Sequence, residues 1–161
     1  LKGKYMKIIL SLFVIFISLM SFSALSLEKG KWKFVKSDEY CYIGSQAIKS
    51  DLSPDKKRGD YYILVYKNIG NPEVVVQIEA GYNYNTDADI IVKIDKGDYP
   101  FYTTKEIPGT AWTNEDSKVI FAMKKGLELV VKGESSRGTI TNDEYTLKGF
   151  TAEYNKLIEE C

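Results

Sequence analysis

The run Ser135-Ser136-Arg137-Gly138-Thr139 holds the residue types most able to do chemistry in this chain. An Arg carried on a Gly/Ser loop can clamp a carboxylate or phosphate through two parallel hydrogen bonds. The alternative account is a plain turn in which Arg137 pairs with Asp143 or packs over a Tyr. The run is not a phosphate-binding P-loop, because it lacks Gly-Lys-Ser/Thr and the earlier Gly at the required spacing. Asp87, Asp89, Asp95 and Asp98 lie close together and offer oxygen ligands of the kind calcium takes. Asp89, however, runs straight into the apolar stretch Ile90 to Val92, without the Gly and terminal Glu of a calcium loop. These acids are therefore read as solvated loop carboxylates, and no metal or cofactor is expected. Ser135 or Ser136 with Lys132 or Lys148 would make a Ser-Lys pair, but no strained nucleophile motif surrounds them. A pair of carboxylates for glycoside chemistry rests on nothing more than the abundance of acids. The chain has no His, which removes Ser-His-Asp and Cys-His catalysis and His-ligated zinc. No catalytic residue is expected.

Two further residue types stand out. Cys41 and Cys161 are the only cysteines, and an even count in an exported protein points to a disulfide. Neither belongs to a Cys-x-x-Cys pattern, so a redox-active pair is not indicated. Tyrosine is over-used, with 12 against 2 Trp and 7 Phe. Tyr suits binding surfaces and β-sheet packing alike, so composition alone leaves core and patch equally open. Tyr82 and Tyr84 sit in a polar, turn-rich stretch, and Tyr99 and Tyr102 at strand ends. Tyr82, Tyr84 and Arg137 are taken as the candidate interaction surface.

The elements that must position these residues begin after an addressing segment. Lys7 is followed by an apolar run, Ile8 to Met20, with small residues behind it. A short basic stretch, an apolar core of this length and small residues define a secretory signal peptide. Residues 1–26 are read as that signal, cut after Ser26, with Met6 as the start and residues 1–5 as upstream read-through. The competing reading is an uncut anchor, since Ile8 to Leu27 is just long enough to span a bilayer. Cleavage takes Lys2, Lys4 and Lys7 away, leaving 19 basic residues against 22 acidic. That mild acidity argues against nucleic acid and anionic lipid as partners through bulk charge.

Residues 27–161 read as a single domain, long enough to bury a sizeable core. Strands are predicted over Lys31–Lys36, Glu39–Ile48, Tyr61–Lys67, Glu73–Ala80, Ile90–Asp95, Tyr99–Thr104 and Leu127–Lys132, with a last strand ending over Tyr145–Lys148, from alternation and from β-branched and aromatic content. Asp51–Asp60, Lys96–Asp98 and Gly133–Gly138 read as loops. The period changes at 114–126, where Asn114 can cap a helix, acids lead, lysines trail and Gly126 can stop it. A second helix is predicted over 151–160. Many short strands with turns between them make the chain mainly β, an antiparallel sandwich or small barrel with two short helices.

One resemblance covers nearly the whole mature chain. Ala111-Trp112, Ala122 to Gly126, Val130 to Gly133, Ser135 to Thr139, Asp143, Tyr145, Leu147 to Phe150 and the final Cys161 stand in order. Trp32, Cys41, the Tyr62–Tyr66 strand, Gly81-Tyr82 and Ile94-Asp95 precede them. This ordered set is similar to the invasion-associated locus B family. The resemblance implies an exported bacterial protein, periplasmic or envelope-associated, with a mostly β fold and no agreed catalytic mechanism. The expectation is a non-catalytic module that binds an unknown envelope or extracellular protein. The alternative is a periplasmic hydrolase or transferase using carboxylates or a Ser-Lys pair.

Overall fold

The computed structural model describes residues 26–161. The signal-peptide and anchor readings fall on residues outside that range, apart from Ser26 and Leu27 at its edge. Ten strands build two five-stranded antiparallel sheets. The first joins β1 (Lys33–Lys36), β2 (Tyr40–Gln46), β4 (Tyr62–Asn68), β5 (Val75–Glu79) and β8 (Thr110–Trp112), in that spatial order. The second has the order β3 (Lys49–Ser50), β10 (Ile140–Thr146), β9 (Glu128–Glu134), β6 (Ile90–Ile94), β7 (Gly97–Phe101). The sheets do not close into a barrel, so of the two expected architectures the sandwich is the one formed. Tyr102 and Trp112 exchange both backbone hydrogen bonds, at 2.8 and 2.9 Å, and link the end of β7 to β8.

Alternation decides what each strand buries, because neighbouring side chains on a strand point to opposite faces. Ile63 and Val65 of β4, Val76 and Ile78 of β5, and Ile90, Val92 and Ile94 of β6 all turn into one shared core. Leu129 and Val131 of β9 and Tyr145 of β10 meet them from the second sheet. Both helices add to the same core. The first, α1 (Asp116–Lys125), buries Val119, Ile120 and Met123, and α2 (Phe150–Glu160) buries Phe150 and Leu157. α2 lies on β1 and β2. There Trp32 meets Phe150 edge-on, ring centres 4.9 Å apart, and donates its indole N–H to the Thr146 carbonyl at 2.9 Å. Among the described residues no helix is long and apolar enough to cross a membrane.

Several local expectations are corrected. Asn114 does not cap α1: the helix starts after Glu115, and no side chain caps it. The carboxylate of Asp116 accepts instead from the Val76 amide at 2.7 Å, tying the helix start to β5. Gly126 ends α1 with extended backbone rather than a left-handed one. Its need for glycine is space, because a Cβ there would sit 2.7 Å from Ile94 and 2.8 Å from Leu147. Lys96–Asp98 is not a break in the sheet. Residues 95–96 are a two-residue turn, and β7 pairs with β6 from Gly97 onward. Gly133 and Glu134, expected in a loop, continue β9. The last strand, expected to end over Tyr145–Lys148, runs from Ile140 to Thr146, and β3 pairs with it at Asp143 and Glu144. The Cys41–Cys161 disulfide is formed, with Cα atoms 6.0 Å apart, and joins β2 to the residue after α2.

Candidate functional site

The site is built on β10, whose inward side chains are Thr141, Asp143 and Tyr145. Asp143 is therefore a carboxylate on the core face of a strand, and burying a charge requires a partner. The partner comes from the loop between β3 and β4. Arg58 gives Nη1 to Asp143 Oδ2 at 2.9 Å and Nη2 to Asp143 Oδ1. The two side chains are 4% and 5% exposed. Arg58 also donates to the Ala80 carbonyl at 3.2 Å and to Ser50 Oγ at 3.0 Å. Its guanidinium lies over the Tyr61 ring, 3.4 Å from the centre. Burial alone would lower the Arg58 pKa, but the bonds and charge of Asp143 outweigh it, and the guanidinium stays charged. The sequence alternative that paired Arg137 with Asp143 is thus corrected: the loop arginine holds that carboxylate.

The same loop is fixed by a close backbone approach. Gly59 N–H donates to the Gly81 carbonyl at 2.8 Å, and Gly81 has φ +71°. A Cβ on Gly81 would lie 2.3 Å from the Gly59 oxygen. Gly81→Ala is expected to cost about 2 kcal/mol or more, from the left-handed backbone plus the clash. Urea denaturation measures it, and an unchanged midpoint would show that the 59–81 contact does not restrain the loop.

Opposite this loop stands the turn after β9. Ser135 Oγ accepts from the amides of Arg137 and Thr139, at 3.3 and 3.1 Å. Ser136 N–H donates to the Asn83 carbonyl at 2.7 Å, and Gly138 N–H to the Ser135 carbonyl at 2.8 Å. The turn's amides and the buried Ser135 hydroxyl are thus spent within the fold, and the Ser136 and Arg137 side chains are left exposed. Between loop and turn is an open cleft of about 790 Å³. Lys56, Lys57, Arg58 and Arg137 line it, with Asp55 as the lone carboxylate. Lys56 reaches across to Thr139 Oγ1 at 3.0 Å. Lys57 and Arg137 are exposed, and among the described residues their side chains make no hydrogen bond or ion pair.

The structure separates the three residues named as an interaction surface. Arg137 is exposed at the cleft. Tyr82 lines the cleft but is half-buried, its hydroxyl 2.8 Å from Thr141 Oγ1. Tyr84 is corrected to a core residue, only 2% exposed. The reason is Gly133: a Cβ there would be 2.6 Å from the Tyr84 ring, so the missing side chain makes the recess that holds it. Burial drives the Tyr84 hydroxyl pKa far upward, so it stays protonated. Of the two other tyrosines, Tyr102 is exposed and tilts against Trp112.

The other candidates are dispersed. Asp95 sits at the β6–β7 turn and accepts from the amides of Leu127 and Glu128, at 3.1 and 3.2 Å. Asp98 pairs in register with Lys93 in the hairpin, and Asp87 lies in a separate turn. Among the described residues no three His, Cys, Asp or Glu are grouped to hold a metal ion. Among the described residues neither Ser135 nor Ser136 is hydrogen-bonded to a lysine. Sequence reading missed Lys56, Lys57 and Arg58, which it placed in a loop without a role. The signal was available as a basic triplet in residues 27–161, which hold more acids than bases.

Comparison with known proteins decides the family. The model of the invasion associated locus B (IalB) protein family matches residues 36–158. The chain belongs to the IalB family. Its fold is similar to the crystal structure of invasion associated protein B from Bartonella henselae, with a TM-score of 0.58. That match has 16% sequence identity and covers 81% of this chain and 94% of that one. At this identity the likeness speaks for the fold. No curated protein matches the chain.

Proposed function

We propose that this IalB-family chain is an exported envelope protein, periplasmic or secreted after loss of residues 1–26, and that it is a non-catalytic binding module. The observation that carries the reading is the cleft at Arg137. Two unpaired cations face solvent there on walls braced by a buried ion pair and by spent backbone amides. The backbone of such a site is preorganised for binding, and ordering the Lys57 and Arg137 side chains is what remains when a partner arrives. Its lining offers one carboxylate, no His and no activated nucleophile, which does not favour the hydrolase or transferase alternative. The partner is another envelope or extracellular component.

The test is capture of partners by in-cell crosslinking with a tagged copy, the tag set off from Cys161 by a linker. Replacing Lys57 and Arg137 together by Ala is expected to abolish a reproducible partner with the melting temperature unchanged. Tyr84 is left alone, because its loss would open the core. Undiminished capture by the double variant would remove the cleft from the function.

A further inference from the structure

We infer that the cleft's ligand carries a multiply charged oxyanion of the phosphate type, gripped between Lys57 on one wall and Arg137 on the other. This rests on the reading of the cleft as a binding site and adds the chemistry of what is bound. The charge count comes first. Four cations line the cleft, and Asp143 and Asp55 offset two of them, in a domain that has more acids than bases overall. A local excess of two positive charges in a net-negative domain is concentrated here, and clefts focus such a field. One carboxylate would leave that excess half uncompensated, whereas a phosphoryl dianion matches it.

Geometry points the same way. Arg58 is committed to Asp143, Ser50 and Ala80 and forms the floor. Its Nε–H is buried with no protein acceptor among the described residues. Arg137 presents a planar fork that bonds two oxygens at once, and Lys57 supplies a movable point charge. Ser136 is exposed on the same wall as Arg137. Donors arriving from two facing walls suit a tetrahedral group with three acceptor oxygens better than a flat carboxylate, which one fork satisfies. The cleft's cations come from one loop triplet and one turn residue, which suits a single such group rather than a nucleic-acid backbone, which needs an extended basic track.

The experiment titrates the purified protein with inorganic pyrophosphate by calorimetry. A triglutamate peptide and vesicles with and without phosphatidic acid, a phosphomonoester lipid, run in parallel. Saturable pyrophosphate binding is expected, weakened about tenfold by Arg137→Ala and severalfold by Lys57→Ala. Lys124→Ala, a cation outside the cleft, should leave it unchanged. Vesicle binding that requires phosphatidic acid and Arg137 would assign the oxyanion to a lipid headgroup, and binding of pyrophosphate alone to a soluble ligand. Both outcomes support the inference. Absence of binding to either phosphate source overturns it, as does equal weakening by Lys124→Ala or a preference for triglutamate. If partner capture still depends on Lys57 and Arg137 in those cases, the binding-module reading stands and the oxyanion chemistry alone has failed.

Discussion

Replacing Cys41 and Cys161 together by Ser is expected to be among the most damaging changes in this chain. The link spans a sequence separation of 120 residues. A cross-link of that reach removes chain entropy from the unfolded state equivalent to about 4.9 kcal/mol in the loop-closure account. The native side adds to it. Cys41 is fully buried on β2, and Cys161 follows α2, the helix that covers β1 and β2. Without the link, α2 is held by Phe150 and Leu157, by the Trp32 contact, and by Glu153 accepting from the Phe34 amide at 3.1 Å. These local contacts keep the helix in place but do not restrict the unfolded chain. A loss of about 3–5 kcal/mol in urea unfolding is the expected result, with the oxidised wild type as reference. A double variant within 1 kcal/mol of wild type, a margin of about 5-fold in the folding constant, would show that the link adds nothing to the fold.

Asp143→Ala is expected to cost about 3–5 kcal/mol, because it leaves Arg58 charged and nearly sealed from water without its counter-ion. Arg58→Ala should cost a similar amount by stranding Asp143. The paired change Arg58→Met with Asp143→Leu is expected to be much milder than either alone, since it removes both buried charges at once. Its residual cost comes from the bonds Arg58 makes to Ala80 and Ser50 and from its packing on Tyr61. A double-mutant cycle followed by chemical denaturation reads the coupling directly. Additive single effects would mean that the pair is not the brace it is taken to be. The cleft should respond too, because Arg58 is what holds the Lys56–Lys57 loop against β10.

How much of this was legible in the sequence depended on whether apolar side chains marked a strand. Tyr61–Lys67 and Ile90–Asp95 announce themselves by β-branched and aromatic residues, and both are found within a residue or so. The start of the final strand was not legible because its inward residues include Thr141 and Asp143, which give no apolar alternation. Only a partner from elsewhere in the chain makes that carboxylate tolerable inside, and Arg58 is 85 positions away. For the same reason Arg137 was legible as an exposed loop arginine, while its neighbours across the cleft were not. Tyr84 misled in the opposite direction. It lies in a stretch rich in polar residues, yet the recess left by Gly133 takes its ring inside. Type and local neighbourhood could separate neither case, because burial was decided by a strand far along the chain.

The central claim is that partners seat in the cleft between the Lys56–Arg58 loop and the Ser135–Thr139 turn. The most direct measurement places a photo-crosslinking amino acid at single positions in the cell. Asn83 and Ser136 are exposed at the cleft, whereas Ile107 and Phe121 are exposed away from it. Adducts to one partner are expected from positions 83 and 136, lost when Lys57 and Arg137 are both replaced by Ala, with none from 107 or 121. Adducts from 107 or 121 with none from the cleft would contradict the claim and move the binding surface to another face of the sandwich.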